Sequence, residues 1–156
     1  MALQFVTKPG LSRFNEATGQ VSRDGTKSAL LYLPYDISFI AGWSGAYVAE
    51  KVAVRTYGQM VMCRTGTFVG IAGYLDSPPL GNTIIDIEKN GTSIFSTKPM
   101  FAQTTYLSLN IGSGVNEYTF ATTSFVSGNR ITFKVTTIGT VNMPGSGMRV
   151  ILKCKV

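Results

Sequence analysis

The chain has 156 residues, a net charge of +6 from 14 Lys and Arg against 8 Asp and Glu, and no His. That length fits one domain able to bury a core. The missing His removes the commonest general base, the Ser–His pair and most transition-metal sites, and no apolar run is long enough to span a membrane as a helix.

Charged residues make up 14% of the chain, against about a quarter in an ordinary soluble domain. With 17 Gly and recurrent Val, Ile, Thr, Phe and Tyr, the composition is that of a turn-rich β protein. Its surface is then either partly covered in an assembly or merely polar, rich in Thr, Ser and Asn.

Residues 1–28 read as an extended N-terminal arm. A short apolar run (Leu3, Phe5, Val6) breaks at Pro9-Gly10, and Leu11, Phe14 and Val21 stand alone among turn residues. Such a segment buries too little apolar area by itself to offset its ordering entropy. It is either a disordered leader or a strap laid across a neighbouring subunit. Met1-Ala2-Leu3-Gln4 opens no secretory pattern.

Residues 29–156 read as the β domain. Ala29 to Leu33 is an apolar strand ending at Pro34, and Ile37 to Ala41 alternates, with Ile37, Phe39 and Ala41 on one face. After the Gly42-Trp43-Ser44-Gly45 turn, Ala46 to Arg55 suggests further strand and is the one stretch that also suits a helix. Gln59 to Cys63 and Phe68 to Tyr74 are strands, the latter punctuated by Gly70 and Gly73, where bulges or close backbone contacts are expected. Asp76 to Asn82 is a loop, since Pro78-Pro79 cannot join a central ladder.

Thr83 to Ser96 is the clearest element. Two β-branched runs flank Asn90-Gly91, residues that tolerate the positive φ of a type I′ hairpin turn. Ile85 and Ile87 point to one face, Asp86 and Glu88 to the other. Tyr106 to Ile111 and Glu117 to Thr123 follow as strands. Arg130 to Ile138 alternates, with Ile131, Phe133 and Val135 inward, and so does Met148 to Val156, with Met148, Val150, Leu152 and Cys154 against Arg149, Ile151, Lys153 and Lys155. About eight to ten short strands at this spacing predict an all-β, jelly-roll-like antiparallel β-sandwich.

Chemistry is sparse. Asp86 and Glu88 share a face at roughly 7 Å, a spacing open to glycoside hydrolysis or Ca²⁺ binding, but they are better read as a solvated strand face that also discourages edge pairing. Asn90-Gly91-Thr92 matches a glycosylation acceptor and is better read as the turn itself. Cys63 and Cys154 fall in expected strands and read as buried free thiols in a reducing compartment. Trp43, Tyr47, Tyr57 and Tyr74 sit near turns, where aromatic rings serve packing, subunit contact or sugar stacking. Residues 129–156 carry Arg130, Lys134, Arg149, Lys153 and Lys155 and no acid. This basic edge either blocks strand pairing or meets an acidic protein surface; it lacks the basic–aromatic clusters of a nucleic-acid reader.

The run Ile85-Asp86-Ile87-Glu88-Lys89-Asn90-Gly91-Thr92-Ser93-Ile94-Phe95-Ser96, the later Ser127-Gly128-Asn129-Arg130-Ile131-Thr132-Phe133-Lys134-Val135 and the final Gly147-Met148-Arg149-Val150-Ile151-Leu152 resemble, in order and spacing, small β-domains of tailed-phage structural proteins. Those domains have Gly-Asp where this chain has Gly128-Asn129. The resemblance covers about Thr67 to Val156. It implies a virion component made in the host cytoplasm, a capsid decoration (cement) protein on the capsid surface or a tail-fibre or baseplate module, assembled as a homotrimer. In the first case the partner is the major capsid protein. Leu3, Phe5, Val6 and Phe14 are then arm anchors and Arg149, Lys153 and Lys155 the charged contacts. In the second, Trp43 and Tyr74 bind a host glycan. No cofactor, metal, nucleic acid, membrane or small-molecule substrate is expected.

Overall fold

In the computed structural model, residues 4–6, 11–15, 20–23, 34–45, 48–107 and 118–156 are described. The chain divides into two units, Met1–Leu33 and Pro34–Val156. In the first, β1 (Gln4–Val6), β2 (Leu11–Asn15) and β3 (Gln20–Arg23) pair antiparallel in chain order. The segment read as an extended arm therefore carries a strand ladder of its own. Phe5 and Val6 lie in β1 opposite Ser12 and Leu11, and Phe14 lies in β2 opposite Val21. Leu3 and the expected strand at 29–33 lie outside the described residues.

The second unit is all-β among the described residues. Its strands are β4 (Ile37–Ala41), β5 (Arg55–Val61), β6 (Gly66–Tyr74), β7 (Asn82–Lys89), β8 (Thr92–Ser93), β9 (Phe95–Thr97), β10 (Met100–Ala102), β11 (Tyr106–Leu107), β12 (Thr119–Phe120), β13 (Ser124–Phe125), β14 (Arg130–Thr137) and β15 (Met148–Lys155). One sheet runs β10-β7-β14-β5 and the other β11-β6-β15-β4, every pairing antiparallel. Taken alone, these eight strands pair first with last, second with seventh, third with sixth and fourth with fifth. That nested pairing across two sheets is the jelly roll.

The sheets meet through the residues that alternation assigned inward. Ile85, Ile87, Ile131, Phe133 and Val135 of one sheet share a core with Ile37, Phe39, Phe68, Ile71, Val150, Leu152 and Cys154 of the other. Phe39 and Phe133 stack across the layers with centroids 5.1 Å apart. Phe68, Phe95, Tyr118, Phe120 and Phe125 extend that core as a chain of ring contacts, each pair 4.9 to 6.5 Å apart.

Three local expectations change. Residues 48–54 form neither helix nor strand; isolated bridges Trp43↔Ala49 and Lys51↔Ser146 hold them. β5 runs unbroken through Gly58, which faces Phe133 where a register shift absorbs the irregularity. The hairpin turn forms as expected, Asn90 at φ 54° and Gly91 at φ 89°, but its return strand leaves β7 after Ser93. The chain then pairs β9 with β12 before β10 rejoins β7.

Candidate functional site: the outer face of β4, β15 and β6

The last strand is not an edge. β15 runs between β6 and β4, hydrogen-bonded on both sides. Its basic residues therefore do not guard an open ladder. Period two turns Arg149, Ile151, Lys153 and Lys155 away from the core that Met148, Val150, Leu152 and Cys154 fill. Register sets Arg149 between Ile40 and Tyr74, Ile151 between Ser38 and Ala72, and Lys153 beside Gly70. A Cβ on Gly70 would stand 3.7 Å from the Lys153 stem. Ile40 is 54% exposed and Ile151 39%. The face is thus apolar and basic at once.

Arg149 is its fixed point. One guanidinium nitrogen, Nη1, donates to Asp76 Oδ1 at 2.7 Å and to the Gly147 carbonyl at 3.3 Å. The guanidinium lies 4.3 Å from the Trp43 ring centroid and 6.0 Å from that of Tyr74. Trp43 is itself anchored, its Nε1 donating to the Met148 carbonyl at 3.1 Å. Gly147 makes room for the ion pair. It sits at φ +61°, and a Cβ there would collide with the Asp76 carboxylate. Beside Arg149 a shallow groove of about 260 Å³ opens, lined also by Ala72, Gly73, Tyr74 and Ile151.

Residues singled out for different reasons thus meet. Arg149 came from the basic C-terminal run, Trp43 and Tyr74 from the aromatic set, and all three share one site. Lys153 and Lys155 extend the same face. Tyr47 lies outside the described residues. Tyr57 belongs elsewhere: its ring packs against Phe133 at 6.4 Å, Arg55 covers it at 4.5 Å, and its hydroxyl accepts from the Ala53 N–H at 2.7 Å. Sequence reasoning missed Asp76, taken only as a loop residue, and Ile40 and Ile151. The signal for both isoleucines was present, since each breaks the polar half of its strand's alternation.

The Asp86 and Glu88 pair is not a shared solvated face. Asp86 is 2% exposed, bonded by Lys98 Nζ at 2.8 Å and by Ser93 Oγ at 2.6 Å. The excursion of β8 and β9 covers it, which alternation within β7 cannot reveal. Glu88 pairs instead with Lys134 at 2.6 Å. Each carboxylate has its own cation, and no cluster of metal-ligating side chains occurs among the described residues.

The two thiols also separate. Both are free. Cys154 is buried, and burial, with the Asp36 charge adding to it, pushes its pKa up to about 12. Cys63, expected to be buried, is exposed just past the end of β5 and lies 2.9 Å from the Tyr35 hydroxyl. That hydrogen bond is the largest cause raising the Tyr35 pKa, followed by desolvation.

No known family model matches this chain, and no curated protein or solved structure matches it either.

Proposed function

We propose that the protein works by binding, as a virion structural protein that decorates a phage capsid and stabilises the shell through contacts to several capsid subunits. The supporting observation is the contrast between the two sheets. On the hairpin sheet, Asp86 and Glu88 are matched by Lys98 and Lys134. On the other, the strands β4, β6 and β15 carry no carboxylate; Arg149 draws its partner Asp76 from the loop after β6, and Lys153 and Lys155 lie on the same face. A basic face interrupted by exposed isoleucines suits an acidic, partly apolar protein surface, where charge sets orientation and on-rate and apolar burial supplies affinity. The phage-domain resemblance supplies the identity of that surface, the major capsid protein. Assembly as a homotrimer multiplies modest contacts into tight attachment. Exposed Leu80 and Met143, whose backbones are joined by a 2.8 Å hydrogen bond, offer apolar surface for contact between copies.

The experiment is decoration of purified heads lacking the protein. Full-length chain should saturate them and raise their resistance to heat or osmotic shock, and deletion of residues 2–27 should lower occupancy. Heads that take up no full-length chain end this reading. Full occupancy by the deleted chain ends the role given to the N-terminal unit.

The reading of a tail-fibre module that binds host glycans has one observation of its own, the convergence of Trp43 and Tyr74 beside a groove. It expects Tyr74→Ala to abolish cell or glycan binding while the fold persists.

A further inference from the structure

The binding face has a centre. We infer that Arg149 is the anchor residue for an acidic polypeptide segment of the partner. It receives one Asp or Glu carboxylate at the groove beside Tyr74, while Lys153 steers the neighbouring acid. This rests on the binding reading above and adds to it the residue and the ligand chemistry.

Arg149 is pre-organised and only partly used. A guanidinium offers five N–H donors in a rigid fork. Among the described residues both protein acceptors, Asp76 and Gly147, are met by Nη1 alone. Nε and Nη2 therefore retain donors for a carboxylate. The Trp43 ring and the Asp76 pair already fix the side chain, so docking costs little further rotamer entropy. Asp76 does not cancel the site, since Lys153 adds a second cation to the outward face and β4, β6 and β15 carry no carboxylate of their own. It is also partly solvated, with its side chain 34% exposed. Ile40 and Ile151 flank the contact and supply the apolar ring that keeps water from a charged pair.

The same geometry disfavours a sugar. Stacking on a hexose needs an open aromatic face. Arg149 lies over the Trp43 ring at 4.3 Å. An acidic peptide needs the guanidinium instead, and Arg149 is the one charged residue lining a groove that is otherwise apolar.

Trp43 is the only tryptophan, so it reports on its own site. Full-length protein is titrated with an end-capped ten-residue polyglutamate peptide, read by Trp43 fluorescence, and in parallel with polygalacturonate as an acidic glycan. The expected result is a change in emission with polyglutamate that weakens as salt is raised. Arg149→Gln should weaken binding by about tenfold or more, Arg149→Lys by several-fold because charge remains without the fork, and Lys153→Gln by about two- to threefold. Circular dichroism checks the folding of each variant. Should Arg149→Gln not fold, Lys153→Glu decides: weaker polyglutamate binding supports the assignment and unchanged binding overturns it.

No response to polyglutamate, or equal affinity in folded Arg149→Gln, overturns the inference. So does tighter binding of polygalacturonate, which would assign the face to a glycan. Arg149 variants that decorate heads at wild-type occupancy sink the anchor and leave the capsid reading standing. Heads that refuse the wild-type chain sink the reading itself.

Discussion

Arg149 and Trp43 lie far apart in sequence, yet the guanidinium of one rests 4.3 Å from the ring centroid of the other. The contact joins the loop after β4 to the start of the last strand, and the Trp43 Nε1 bond to the Met148 carbonyl pins the same junction. Trp43→Ala removes a cation–π contact, a hydrogen bond and a half-buried ring. Those losses sum to about 2–3 kcal/mol. Denaturant unfolding should show that loss, and Trp43→Phe should recover part of it, keeping the ring but not the donor.

Gly147 should resist substitution more than its neighbours. Its positive φ and the approach of Asp76 both exclude a side chain. Gly147→Ala should cost about 2 kcal/mol or more and free Arg149 from its ion pair. A changed Trp43 emission spectrum in the variant checks the second effect. An unchanged spectrum with full stability contradicts the arrangement.

The buried pair on the hairpin sheet predicts an asymmetry. Asp86 is enclosed while the Lys98 side chain is 41% exposed. Lys98→Met leaves a carboxylate in the interior with the Ser93 hydroxyl as its remaining side-chain partner among the described residues and should cost about 3 kcal/mol. Asp86→Asn leaves behind an ammonium that water can reach, so its cost should be nearer 1–2 kcal/mol. Paired chemical-denaturation curves measure both, and a reversed order refutes the account of this pair.

The two cysteines should differ in reactivity. In the native protein a thiol reagent should label Cys63 quickly and Cys154 only on unfolding, because burial holds Cys154 protonated with a pKa of about 12. The folded value is raised above the unfolded one, so the unfolded chain loses its thiol proton first as pH rises. Cys154 therefore contributes stability that is complete below about pH 9 and is lost on the way to pH 12. Cys154→Ala should show a shallower loss of stability across that window than the parent protein.

Much of this was legible in the residues. Ile131, Phe133 and Val135, and Met148, Val150, Leu152 and Cys154, face the core as period two requires. Asn90-Gly91 makes the expected turn because both residues accept positive φ. What stayed hidden was set by pairing between distant segments. Alternation gives a strand its two faces but not its neighbours, so β15 looked like an edge until β4 and β6 were placed beside it. Asp86 looked solvated because its cover comes from Ser93 and Lys98, beyond the reach of a pattern read along β7. The Arg149 site combines a turn tryptophan, a loop aspartate and a strand arginine. No local spacing announces such a set.

The most direct test of the proposed capsid-binding function is to locate and count this chain on purified virions, by quantitative mass spectrometry joined to cryo-electron microscopy. The account predicts many copies distributed over the head, with the face bearing Arg149 turned toward acidic residues of the shell. Absence from the particles, or confinement to the tail tip, would contradict it.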